Sequence, residues 1–199
     1  MRIWALSAAV VMGAAGTANA LTVGENVPAD MAFTDHLGKP HTFGEFAGKP
    51  LVLEWTNYGC PFVRKHYDSG NMQGLQKKAL ERGVSWVSVV SSAEGKQGYM
   101  TAAEAPAEVA KQGFEGTAVA LDSSGEVGRA FGATKTPTMV VVNAEGKIVY
   151  HGAVDSIPSF SKEDIAKADN YVAVALDAVA AGTTPEPAMT SAYGCSVKY

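Results

Sequence analysis

Cysteine is nearly missing from this 199-residue chain, which holds two, Cys60 and Cys195. Two are too few for a disulfide-built scaffold. Neither C-x-x-C nor H-x-x-H spacing occurs, so no metal-site signature is present. Basic runs are missing as well. Lys and Arg number 16 against 20 Asp and Glu, for a formal net charge of −4, which excludes a strongly cationic nucleic-acid binder. There are no repeats or low-complexity segments. Nor is there an unbroken run of the roughly 20 apolar residues that a membrane-spanning helix needs.

The longest apolar stretch, Ile3 to Ala15, follows Arg2 and precedes Ala18-Asn19-Ala20. That order, a positive start, an apolar middle and an A-x-A site, reads as a signal peptide over residues 1–20. The expectation is export to the periplasm or the exterior, with no membrane association after cleavage. Residues 21–182 then form one domain, a size at which a single core suffices. Residues 183–199 form a tail that carries Cys195 and, with Pro185 and Pro187, looks loosely structured.

Alternating polar and apolar residues on either side of His36–Pro40 predict a short hairpin. "LVLEWTN", from Leu51, is a continuous apolar run of the kind buried on both faces of a sheet. Pro61 suits the first position of a helix, which is expected to continue to Gly83 with a break near Ser69-Gly70. Further strands are expected in "VSWVSVVSS", "TAVALD" and the two arms of "TMVVVNAEGKIVYHG". Helices are expected in "TAAEAPAEVAKQG", "SSGEVGRAFG" and "NYVAVALDAVAAG". Strands alternating with helices, closed by one hairpin, make an α/β layer protein.

Cys60 falls where a strand gives way to a helix, the end of an open α/β sheet at which sites collect. A thiol there meets unpaired helix N–H groups, and Arg64 and Lys65 add positive charge nearby. Both effects lower its pKa and favour the nucleophilic thiolate. An inert core cysteine is the alternative. Glu54 lies six residues earlier on the strand. It is either a buried acid with a raised pKa, fit for proton relay, or a strand-end carboxylate paired with Lys49 or Lys65. His66 lies six residues after Cys60, a poor spacing for sharing an ion, and reads as a surface histidine. His36, His41 and His151 sit in turns or at a strand end. Trp55 and Trp86 read as core residues.

Cys60-Pro61 at a helix start, "CPFVRKHY…NMQ", and a distant Thr136-Pro137-Thr138 before a strand together resemble the thioredoxin superfamily, in its peroxiredoxin-like (redoxin) branch. The resemblance spans Val23 to Ala181. It implies a thioredoxin-like fold, a central mixed sheet flanked by helices, with the hairpin as an N-terminal extension. It implies that Cys60 is the reactive cysteine and that Pro137 is cis and faces it. Thr136 would then present its backbone to a substrate or partner segment, with Pro61 and Arg64 beside it. The second thioredoxin cysteine position holds Val63, and the peroxiredoxin Pro and Thr/Ser positions hold Leu53 and Asn57, with Thr56 one residue away.

What the resemblance implies for function is a thiol oxidoreductase without a cofactor. A peroxide or disulfide would oxidise Cys60, and a thiol-reducing partner protein would restore it. Cys195 would be either a resolving thiol that attacks oxidised Cys60 or half of a static staple. Closing so long a loop contributes on the order of 4–5 kcal/mol in the chain-entropy model. The competing class is a non-catalytic thioredoxin-fold binding or metal-carrier module.

Overall fold

The computed structural model describes residues 19–199. Most of the expected signal peptide lies outside them. Ala32–Thr34 (β1) and Pro40–Thr42 (β2) pair antiparallel as the expected hairpin. Its turn is closed by Asp35, whose carboxylate accepts from the N–H groups of Leu37 and Lys39, each at 2.8 Å.

The main sheet is built around Leu51–Trp55 (β3), in which every residue is buried. Ser85–Val90 (β4) lies parallel to one edge of β3, and Ala118–Leu121 (β5) lies parallel to β4. Beyond Lys135–Thr136 (β6), Thr138–Val142 (β7) runs antiparallel to the other edge of β3, and Ile148–Gly152 (β8) completes the hairpin. The order is β5-β4-β3-β7-β8, a mixed sheet.

Strand alternation divides the core in two. Val52, Trp86, Met139, Val141 and Tyr150 face the helices Pro61–Tyr67 (α1), Asn71–Glu81 (α2) and, beyond Ala105–Lys111 (α3) and Glu126–Ala130 (α4), Tyr171–Ala180 (α5). Leu51, Leu53, Trp55, Val87, Val89 and Val140 face the hairpin's Phe33, Phe43 in the turn just after it and, near α4, Phe131. Each large apolar side chain sealed in these layers contributes roughly 1.5–3 kcal/mol. Trp55 and Trp86 are both fully buried, as expected.

The helix break expected near Ser69-Gly70 is present. The Ser69 hydroxyl donates to the Lys65 carbonyl at 2.7 Å, and Gly70 takes a positive φ of 76° as α2 begins. Only the second half of "TAAEAPAEVAKQG" is helical, because Thr101 and Glu104 hydrogen-bond each other's N–H groups and hold the chain as a turn before Ala105.

The tail overturns the expectation of loose structure. Thr190 N–H donates to His151 O and His151 N–H to Ala188 O, each at 3.1 Å, so the tail pairs along the free edge of β8. Further on, Cys195–Ser196 (β9) pairs antiparallel with β6, placing Cys195 opposite Thr136. The Tyr199 hydroxyl donates to Ala133 O at 2.6 Å. Two edges with unpaired backbone groups attract a segment whose proline content reads as loop.

Candidate active site

The loop between β3 and α1 is set by side chains as well as by backbone. Thr56 N–H donates to Val89 O at 3.0 Å, continuing the ladder one residue past the strand. Asn57 then turns the chain. Its Oδ1 accepts from Gly59 N–H at 2.9 Å and its Nδ2 donates to Gln97 O at 3.0 Å. Gln97 in turn donates from Nε2 to Gly59 O at 3.2 Å. A Cβ at Gly59 would stand 2.9 Å from that amide and push the Gln97 side chain aside. The turn delivers Cys60 as the N-cap of α1, with Pro61, exposed, in the first turn. Gln97 gave no signal in the sequence, because it lies in a loop 40 residues from Asn57.

Cys60 is fully buried, and its Sγ lies 2.7 Å from Cys195 Sγ and 3.3 Å from Thr136 O. Both cysteines are free thiols. The Thr136-Pro137 peptide is cis and stands against Cys60, as the resemblance implies. Gly194 makes the approach of the tail feasible. Its φ is +127°, and a Cβ there would sit 2.0 Å from Thr136 O.

Burial acts against ionisation of Cys60. It is outweighed by hydrogen bonds from the Cys195 thiol and from the Val63 and Cys195 N–H groups, which leave Cys60 below the ordinary cysteine range. Cys195 moves the opposite way, raised by its own burial and then by the bond and charge of Cys60. The expected help from two cations is not what does this. Arg64 is exposed and pairs with Asp68 at 3.0 Å, while Lys65 is turned inward onto Asp155 at 2.9 Å. Helices alternate faces every residue or two, so neighbours in sequence need not share a field.

Glu54 is the buried acid and not the strand-end ion pair. It is fully enclosed, and its Oε2 accepts from Ser88 Oγ (2.7 Å), Trp86 Nε1 (3.0 Å), Tyr67 OH (3.1 Å) and Gln76 Nε2 (3.2 Å), with no partner on Oε1. Burial raises its pKa against the pull of those donors. It shares the α1/α2 side of the sheet with Cys60, but no hydrogen bond joins them. The Thr56 hydroxyl is buried and unpartnered. Arg64 lines a cleft of about 780 Å³ beside Tyr58, Gly59, Tyr99 and Lys111.

His66 is not at the surface. It is sealed, its Nδ1 meets Asn71 Nδ2 at 2.7 Å, and burial holds its pKa down to about 4. The sequence counted it as exposed because "VRKHY" is polar, yet α1 packs this side of the helix inward along with Lys65.

The family described as Redoxin matches residues 22–172. Among solved structures, a hypothetical protein of Sinorhizobium meliloti 1021 superposes with a TM-score of 0.74 at 24% identity, over 91% of this chain and 96% of its own. A putative thiol:disulfide interchange protein DsbE of Chlorobium tepidum gives 0.53 at 23% identity, over 66% and 85%. A PrxQ mutant of Xylella fastidiosa gives 0.52 at 14% identity, over 66% and 84%. No curated protein matches. The fold common to these structures is thioredoxin-like, which agrees with the mixed sheet and the cis-proline loop.

Proposed function

The chain belongs to the redoxin family, and on that premise we propose that it is a thiol-based oxidoreductase whose redox couple is Cys60 and Cys195. The observation that carries this reading is the 2.7 Å separation of the two sulfurs. Val63 occupies the position of a local second thiol, and the tail supplies one from 135 residues away.

The acidity difference assigns the roles. Cys60, the more acidic thiol, is the nucleophile. With a disulfide substrate, the docked tail first swings Cys195 aside to uncover the sealed Cys60 sulfur; the thiolate then forms a mixed disulfide and expels one substrate thiolate. Cys195 then attacks the Cys60 sulfur and expels the second. With a hydroperoxide the Cys60 thiolate takes one oxygen, releasing an alcohol, and Cys195 converts the sulfenic acid to the disulfide with loss of water. Either route ends in the Cys60–Cys195 bond. A reducing partner's thiolate meets Cys195 first, because Cys195 is only partly buried whereas Cys60 is sealed. Cys60 then departs as the better leaving group. Thr136 and Pro137 stand against the reacting sulfurs, the buried Thr56 hydroxyl lies in the loop that leads to Cys60, and Glu54, its pKa raised by burial, is the acid this scheme assigns to proton relay. An oxidising, exported location suits such a couple.

Turnover with a thiol donor, measured against a small disulfide and a hydroperoxide in parallel, tests the reading. Wild type is expected to turn over at least one of them. Cys60→Ser should lose that activity, and Cys195→Ser should stall with a mixed disulfide or sulfenate on Cys60. Equal rates for wild type and Cys60→Ser would leave the non-catalytic binding or metal-carrier module in its place.

A further inference from the structure

The buried pair Lys65–Asp155 has no part in the sulfur chemistry, yet it is the most fully enclosed charge pair among the described residues. Lys65 Nζ donates to Asp155 Oδ2 at 2.9 Å and to Ile157 O at 3.1 Å. Asp155 Oδ1 accepts from Ile157 N–H at 3.1 Å and also from the hydroxyl of Tyr193. His66 Nε2 stands 3.8 Å from the same carboxylate. Buried ion pairs contribute little net stability compared with well-packed apolar residues, and their attested use is to specify one arrangement over others.

The arrangement specified here is that of the tail. Tyr193 lies two residues before Cys195. Its ring packs edge-on against Phe62 at 5.9 Å between centroids, and Lys65 Nζ lies 5.8 Å from its ring centre. Phe62 and Lys65 belong to α1, the helix that Cys60 caps. One rigid element therefore carries the nucleophile and the seat of the tyrosine. Only Gly194 separates that seat from Cys195, in a backbone conformation a side chain would block.

We propose that Tyr193, docked on the buried Lys65–Asp155 pair, is the positioning residue that sets the Cys195 sulfur against Cys60. The assignment rests on Cys60 and Cys195 being the redox couple. The hydroxyl supplies the directional contact and the ring supplies the packing, so the two parts are separable by substitution.

The test equilibrates the full chain in graded mixtures of reduced and oxidised glutathione, and quantifies the Cys60–Cys195 bond by alkylation and mass spectrometry. Tyr193→Phe should lower the effective concentration of the Cys195 thiol by roughly tenfold, the usual scale for losing a hydrogen bond to a charged group, and should slow closure of the bond. The double variant Lys65→Met/Asp155→Leu roughly keeps the packing volume and removes both the charges and the oxygen that accepts from Tyr193. It should show a similar loss, and adding Tyr193→Phe to it should cost nothing further. A wild-type equilibrium and closure rate in Tyr193→Phe would overturn the proposal, as would additive losses in the combined variant. A purely structural role would lower the melting temperature of reduced and oxidised forms alike and leave the bond equilibrium unmoved. If wild type forms no bond in any mixture, the redox couple itself is refuted and the positioning role falls with it.

Discussion

At Cys60 three donors restore to the thiolate what burial takes away, and the foremost of them is the thiol of Cys195. Replacing Cys195 with Ala removes that donor, so the Cys60 pKa should move up. Thiolate absorbance against pH measures this directly, because only one thiol remains. A midpoint equal to or below that of the first thiol in wild type would contradict the hydrogen-bond account. A second residue-scale consequence concerns His66, neutral in the fold down to about pH 4. The unfolded chain binds a proton there near the ordinary value of about 6.5. Above that pH His66 contributes nothing; as pH falls below it, protonation favours the unfolded state. Stability should be lower by about 2 kcal/mol at pH 5 than at pH 7 from this group alone. Glu54, with its raised pKa, acts in the opposite direction as pH rises above its unfolded value. The His66 part is therefore read as the difference between wild type and His66→Gln in urea unfolding at the two pH values. An unchanged pH dependence in the variant would mean that His66 is not held neutral.

Among the elements, the two-residue pairing of β6 with β9 is the smallest and the one on which the site turns. Gly194→Ala forces a positive φ on a side-chain-bearing residue, at about 1–3 kcal/mol, and drives a methyl into Thr136 O. The main sheet should survive, with an unaltered far-ultraviolet circular dichroism spectrum, while the bonded fraction of Cys60 and Cys195 in a fixed glutathione buffer drops more than about tenfold. A bonded fraction like that of wild type would show that the tail docks by another path. This pairing was also what the sequence concealed. Strand β3, the hairpins, the break at Ser69-Gly70 and the cis-proline loop each carry a local pattern or a family motif. β9 has neither, because its partner lies 60 residues away and its composition is that of a turn. The acid at Glu54 was legible as one of two alternatives. Its four donors come from α1, α2 and β4, and only tertiary packing brings them to one oxygen. Lys65 and His66 were misplaced for a similar reason, since polarity in "VRKHY" signals exposure whereas Asp155 and Asn71 meet them inside.

On the scale of the whole molecule, the stretch that matches the redoxin family ends near α5, and the chain then returns along β8 to Cys60. The tail packs against the site: its glycine clears the cis-proline loop, its tyrosines fix both flanks, and its thiol stands 2.7 Å from the Cys60 sulfur. On the proposed reading, the bond closes within one chain and an external thiol reopens it. The most direct test maps peptides from wild-type protein after one cycle of oxidation and again after treatment with excess dithiol. The account predicts a Cys60 peptide linked to a Cys195 peptide after oxidation, two free thiols after reduction, and the same pair on repetition. Sulfenic or sulfinic acid on Cys60, with Cys195 still a free thiol, would contradict it.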